Sequence, residues 1–225
     1  MGTSKNNYNY DVALSYERDR QCEAHWEEEN LFIQEYFSCN KHKGILDVPV
    51  GTGRFFQFYP DNSRVVGVDI SINMLAQSQE KAALIDNSDI FLMLSNAEKL
   101  AFHDDSFDIV VCCRLFHLLT QDERFLVLKE LGRVTKKTIL LQVYLSNKSE
   151  ILYAFSARIK KLKDRFLRKR CDTGLELKPW SHIMSYSLTR TQLKSLIRRT
   201  GLSVIKESGF SCYEGNIVGF LVLNK

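Results

Sequence analysis

The sequence predicts an α/β protein: a doubly wound, mostly parallel sheet with helices on both faces and an antiparallel strand at the C-terminal end. Three observations carry this expectation. Short β-branched runs alternate with helical periodicities, the pattern of βαβ units. One run, Phe107-Asp108-Ile109-Val110-Val111-Cys112-Cys113, is apolar enough to be buried on both faces. The last two runs stand close together without an intervening helix and read as an antiparallel pair. A length of 225 residues with 44% hydrophobic and 26% charged residues suits one globular domain and excludes a disordered chain.

Taken in order, Tyr10 to Cys39 repeats aromatic and aliphatic residues among charges at helical spacing. Gly44 introduces Ile45-Leu46-Asp47-Val48, a buried strand, and Gly51-Thr52-Gly53 makes a turn. Arg54 to Tyr59 can begin a helix before Pro60 stops it. Val65 to Asp69 is the second strand, and Ser71 can cap a helix over Asn73 to Leu84. Ile90 to Leu94, Phe107 to Cys113 and Thr138 to Val143 continue the strands, with a helix at Gln121 to Val134. Ser149 to Arg170 is a long helical pattern within an inserted segment at about 146–187. Thr191 to Thr200 is a helix closed by Gly201, before the runs Leu202 to Glu207 and Gly215 to Leu223. The chain is thus read as one domain, 1–225, with N-terminal lid helices at about 8–40 and that basic insertion.

The net charge of +4 is unevenly spread. Ser149 to Asp172 holds eight basic and three acidic residues, a local +5, and the remainder of the chain is −1. No apolar run approaches the ~20 residues of a membrane-spanning helix. The polar start, Met1 to Asp11, does not suggest an export signal. The six cysteines include no Cys-x-x-Cys pair and read as reduced thiols, so a cytoplasmic location and no metal site are expected.

The most informative constellation is Asp47-Val48-Pro49-Val50-Gly51-Thr52-Gly53 with Asp69 16 residues beyond Gly53. Glycine lacks a Cβ and tolerates positive φ, so a ligand can approach the main chain there. An acid at the end of the next strand can accept hydrogen bonds from both hydroxyls of a ribose. Strand, turn, helix, strand and acid in this order point to a nucleoside-like ligand at the carboxyl edge of the sheet.

Four segments in series resemble the class I S-adenosylmethionine-dependent methyltransferases, in the small-molecule, methyltransferase type 11-like branch of that Rossmann-like family. They are Ile45 to Phe55, Val66 to Ser71, Asn96 to Phe102, and Ser106 to Val111 with Cys113 to Leu119 following. The resemblance spans roughly 40–145. It implies S-adenosyl-L-methionine as cofactor, with Asp47, Gly51, Thr52 and Gly53 at its methionine part. Asp69 would hold the ribose, Asn96 and Ala97 would border the adenine, and Ile70 and Met74 would give it apolar contact. Arg114 is placed to contact the cofactor or an anionic acceptor. Tyr16 and Arg20, four apart on a lid helix, could reach the cofactor carboxylate. Two departures are Pro49 in place of the usual first glycine and Asn96 in place of an acid before Ala97.

For the acceptor, His117 is the candidate base, with His103, His182, His25, Tyr10 and Tyr16 as further proton-handling groups. The implied activity is methyl transfer to a small or medium-sized, possibly anionic, acceptor. Two other readings stay open: a catalytically silent methyltransferase-like binding domain, and an NAD(P)-dependent oxidoreductase. Against the latter, Phe56 stands where the third glycine of its fingerprint would fall. No Asp/Asn-Pro-Pro-aromatic motif is present, which disfavours DNA as substrate, while the basic helix 149–170 leaves RNA or a membrane surface open as partners.

Overall fold

The computed structural model describes residues 10–21, 23, 25–85, 89–146, 188–211 and 217–225. The basic helix 149–170 and His182 lie outside the described residues, as does the inserted segment apart from Ser146.

Seven strands form one sheet in the order β3-β2-β1-β4-β5-β7-β6. They are β1 (Gly44–Asp47), β2 (Arg64–Asp69), β3 (Ile90–Leu94), β4 (Phe107–Cys112), β5 (Thr135–Leu145), β6 (Ser203–Ser211) and β7 (Ile217–Asn224). The pairs among β1 to β5 are parallel, and β7 lies antiparallel between β5 and β6. The helices are α1 (Tyr10–Gln21), α2 (Trp26–Cys39), α3 (Ile72–Ala82), α4 (Gln121–Val134) and α5 (Arg190–Arg199). The doubly wound expectation, with its antiparallel C-terminal strands, is what the sheet shows.

Side-chain alternation divides the core in two. Ile45, Ile109 and Val111 point to the face covered by α2 and α3, where they pack with Ile33, Phe37 and Leu75. Leu46, Val110 and Cys112 point to the other face, against Leu128 and Leu131 of α4 and Leu193 and Leu196 of α5. Chain order reverses at β1 and β4, so a crevice opens beyond the carboxyl ends of these two strands.

Several elements differ from the sequence expectation, among them β6, which runs from Ser203 to Ser211 and not from Leu202 to Glu207. The helical pattern Tyr10 to Cys39 is two helices, Tyr10–Gln21 and Trp26–Cys39, and His25, at the start of the second, is buried at 3% exposure. The helix expected at Arg54 to Tyr59 is only a 3₁₀ turn, Phe56–Phe58. Phe55, Phe56 and Tyr59 are all buried there, and Pro60 prevents the turn from propagating. β5 is longer than Thr138 to Val143 because β7 pairs with it from Thr138 to Leu145. No helix among the described residues is long and apolar enough to cross a membrane.

α4 begins with a capping box. Thr120 Oγ1 accepts the Glu123 N–H at 3.3 Å, and Glu123 Oε2 accepts the Thr120 N–H at 2.8 Å. Thr120→Ala is expected to lower stability by about 1 kcal/mol. In urea titration this appears as a lower midpoint with an unchanged slope.

Candidate functional site

At the crevice the chain leaves β1 through a short, constrained path. The Val48–Pro49 peptide is cis, and Gly51 (φ 56°) and Gly53 (φ 74°) take the left-handed conformation that favours glycine. The two glycines serve different ends. A Cβ added to Gly51 would meet nothing within 4 Å, so its main chain faces open space. A Cβ on Gly53 would lie 2.4 Å from Cε2 of Phe56, so that glycine is required by packing of the turn against an aromatic ring.

Asp69 ends β2 beside this turn. Its Oδ2 accepts the Gly51 N–H at 3.0 Å and its Oδ1 accepts the Ser71 N–H at 2.9 Å. A carboxylate offers about four acceptor positions, so capacity remains for further donors. Asp69 is 6% exposed, and burial raises its pKa against the opposing pull of these amides.

A cavity of about 1210 Å³, counting its open mouth, extends from the turn along the strand ends. Gly51, Thr52, Asp69, Ile70, Met74, Asn96, Ala97, Arg114 and Tyr16 all line it, so nine of the residues singled out in sequence converge on one space. Its apolar portion includes Val50, Val68, Leu115, Leu118 and Leu119. Ile70 is 44% exposed at the rim, while Met74 is buried. Asn96 Oδ1 accepts the Glu98 N–H at 3.0 Å, so part of its accepting capacity is used locally.

α1 closes one side. Tyr16 is at the cavity wall, and Glu17 Oε1 accepts from Thr52 Oγ1 at 2.5 Å and from Lys81 Nζ. α1 is thereby tied to both the glycine turn and α3.

Four predicted residues have other placements. Gly53 supports the turn from behind, as above. Asp47 is 1% exposed and accepts from the Tyr59 hydroxyl at 2.8 Å, beneath the cavity rather than in its lining. Arg20 pairs with Glu23 at 2.6 Å and lies 5.2 Å over the Tyr16 ring, so it backs Tyr16 instead of lining the cavity. His117, the candidate base, is buried against Tyr144 with ring centroids 4.7 Å apart and is also outside the lining. Burial, then the charges of Arg114, Arg20 and Arg124, push its pKa down to about 3.

The remaining candidates are scattered. His103 is exposed in its loop, and Tyr10 is 60% exposed on α1. His25 is buried and shares a 3.1 Å hydrogen bond with the Tyr144 hydroxyl. Among the described residues no group of His, Cys, Asp and Glu could hold a metal ion.

The sequence reading missed a buried polar cluster beside the cavity. Arg114 Nε and Nη2 donate to Glu29 Oε2 at 3.0 and 2.8 Å, and Arg54 Nη1 donates to the same oxygen at 2.7 Å. Glu29 stands in the run Glu27-Glu28-Glu29 at the start of α2, where acids are explained by the helix dipole alone. Nothing in that run marks the third acid as the buried one.

Residues 45–138 match the model of a methyltransferase domain. The chain is 35% identical over 94 residues to a phosphatidylethanolamine N-methyltransferase of Cereibacter sphaeroides, covering 41% of this chain and 45% of that protein. It is 31% identical over 134 residues to a demethylmenaquinone methyltransferase of Bacillus cereus, covering 56% and 53% respectively. The chain thus spans about half the length of the curated relatives it matches. Its fold is similar to that of a magnesium protoporphyrin IX methyltransferase from Synechocystis PCC 6803 with bound SAH, at a TM-score of 0.64 and 14% identity over 96% of this chain and 97% of that one.

The Asp47–Tyr59 pair yields a prediction. Burial raises the Asp47 pKa from 3.8 to about 7, with the Tyr59 hydrogen bond opposing. Between these values the folded chain keeps a proton that the unfolded chain has released. Stability therefore falls as pH rises through that window and levels off above it. Asp47→Asn is expected to abolish this decline, leaving the variant more stable than wild type at pH 8 by at most about 4 kcal/mol. Urea unfolding at pH 4.5 and 8 measures the difference.

Proposed function

We propose that this chain, whose residues 45–138 match a methyltransferase domain, is a class I S-adenosylmethionine-dependent methyltransferase, that the crevice holds S-adenosylmethionine and that the protein methylates a small or medium-sized, possibly anionic, acceptor. The observation that carries this reading is the contact between the Gly51 N–H and Asp69 Oδ2 at the floor of the cavity. It brings a bare stretch of main chain and a ribose-binding carboxylate to one place.

The residues fit the cofactor by three criteria. The open space before Gly51 is what a side chain there would fill. Asp69 retains accepting capacity for ribose hydroxyls. Ile70, Met74 and Ala97 offer an apolar bed for a purine, with Asn96 at its edge. When bound, the cofactor supplies an electrophilic methyl group on a sulfonium.

The chain's own contribution is alignment and exclusion of water. The apolar lining removes bulk solvent, and the Glu17 contacts hold α1 across the opening. His117 is a poor proton acceptor at a pKa of about 3, so we give it a packing role against Tyr144 and no part in proton transfer. An acceptor that is already anionic, or a neutral amine, would need no base from the protein. The names of the two curated relatives make phosphatidylethanolamine and demethylmenaquinone the first acceptors to screen, and the +5 stretch Ser149 to Asp172 would suit an anionic one.

Asp69→Ala is expected to weaken S-adenosylhomocysteine binding by about ten- to a hundred-fold in calorimetry, the range of one or two hydrogen bonds to a charged group. Affinity unchanged by this substitution would remove the ribose assignment. Failure of the wild-type chain to bind either S-adenosylmethionine or S-adenosylhomocysteine would favour a silent binding domain. With radiolabelled cofactor and an acceptor found by screening, His117→Asn should reduce kcat by less than the hundred-fold or more typical of a removed base.

A further inference from the structure

Glu29 is 1% exposed, and a carboxylate is removed from water at such a position only when its acceptors are satisfied. Here they are satisfied by three other parts of the chain. Oε2 takes Arg54 from the glycine turn and Arg114 from the loop after β4. Oε1 takes Gln142 Nε2 of β5 at 2.5 Å and lies 3.5 Å from His25 Nε2.

Each of these partners is held a second time. Arg54 lies flat on Trp26, its Cζ 3.3 Å from the ring centroid, and its Nη2 donates to the Trp26 carbonyl at 2.7 Å. Arg114 takes a left-handed main-chain conformation (φ 56°), and its N–H donates to Gln142 Oε1 at 2.8 Å. Gln142 thus fixes both the main chain of Arg114 and, through Glu29, its side chain. Arg54 and Arg114 both line the cavity, whereas Glu29 does not. A buried ionic hub adds little net stability compared with apolar residues of similar volume, but it prescribes where each charge sits.

We propose that Glu29 is a positioning residue for the cofactor: from α2, outside the matched segment 45–138, it fixes the Arg54 and Arg114 walls of the cavity and so sets cofactor affinity. This rests on the reading of the cavity as the S-adenosylmethionine site. α2 therefore has two roles: Ile33 and Phe37 cover that face of the sheet, and Glu29 holds the two arginines.

The test uses the full chain and the variant Glu29→Gln, which keeps shape and removes charge. S-adenosylhomocysteine affinity should fall about tenfold or more, as expected when binding groups lose their alignment. In a Trp180→Phe background, Trp26 emission should shift as Arg54 leaves its ring. Leu131→Ala, a core truncation on the opposite face, serves as the comparator: it lowers the melting temperature and leaves the affinity of the folded protein unchanged. Glu29→Asp carries the same test if the glutamine variant does not fold, since it retains the charge and withdraws the carboxylate by one methylene. Wild-type affinity in whichever of the two folds, with unaltered Trp26 emission, would overturn the positioning role. Absence of binding by the wild-type chain would instead refute the cofactor reading itself.

Discussion

The hydrogen bond from the Gly51 amide to the Asp69 carboxylate ties the turn after β1 to the carboxyl end of the neighbouring strand β2. It depends on β1 and β2 being parallel neighbours, paired from Gly44↔Arg64 to Asp47↔Gly67. That register brings the turn after β1 level with the acid at the end of β2. A turn displaced by a residue would leave Asp69 buried with fewer donors, at considerable desolvation cost. The open face of Gly51 and the spare accepting capacity of Asp69 are therefore two consequences of one strand pairing.

Around that contact, buried and half-buried acidic side chains are each compensated locally. Asp47 is sheltered by the Tyr59 hydroxyl, Glu29 by two arginines and a glutamine, and Glu17 by Thr52 and Lys81. The first of these lies beneath the cavity, while the other two join the N-terminal helices to its walls. The buried ionic contacts of Glu29 contribute more to geometry than to net stability. The placement of Glu17 and Glu29 makes α1 and α2 part of the site although the matched domain begins at residue 45.

His117 illustrates how position along a strand can mislead. It follows β4 at the ligand edge, where a base would be convenient, yet the 3₁₀ turn Phe116–Leu118 carries its ring inward onto Tyr144. Three arginines then surround an imidazole removed from water, and protonation becomes unfavourable. After burial and the nearby Arg114, the charges that lower its pKa come from other elements, Arg20 from α1 and Arg124 from α4.

Strands such as Phe107–Cys112 were legible in the sequence because a strand buried on both faces needs a run of apolar residues, and the helix Gln121–Val134 appears at the bounds that its periodicity indicates. Gly51 and Asp69 were legible for a related reason, since turn geometry and a strand end dictate them, whereas Met74 and Ala97 were reached only through the family resemblance. What tertiary structure alone decided is which charged residues are buried. Glu29 and Glu28 are indistinguishable as neighbouring acids in a first helical turn, and only the crossing of α2 with the ends of β4 and β5 makes one a hub and leaves the other in water. Local sequence determines backbone conformation over a few residues, whereas the desolvation and pairing of a side chain are set by groups that may be 85 or 113 positions away, as Arg114 and Gln142 are from Glu29.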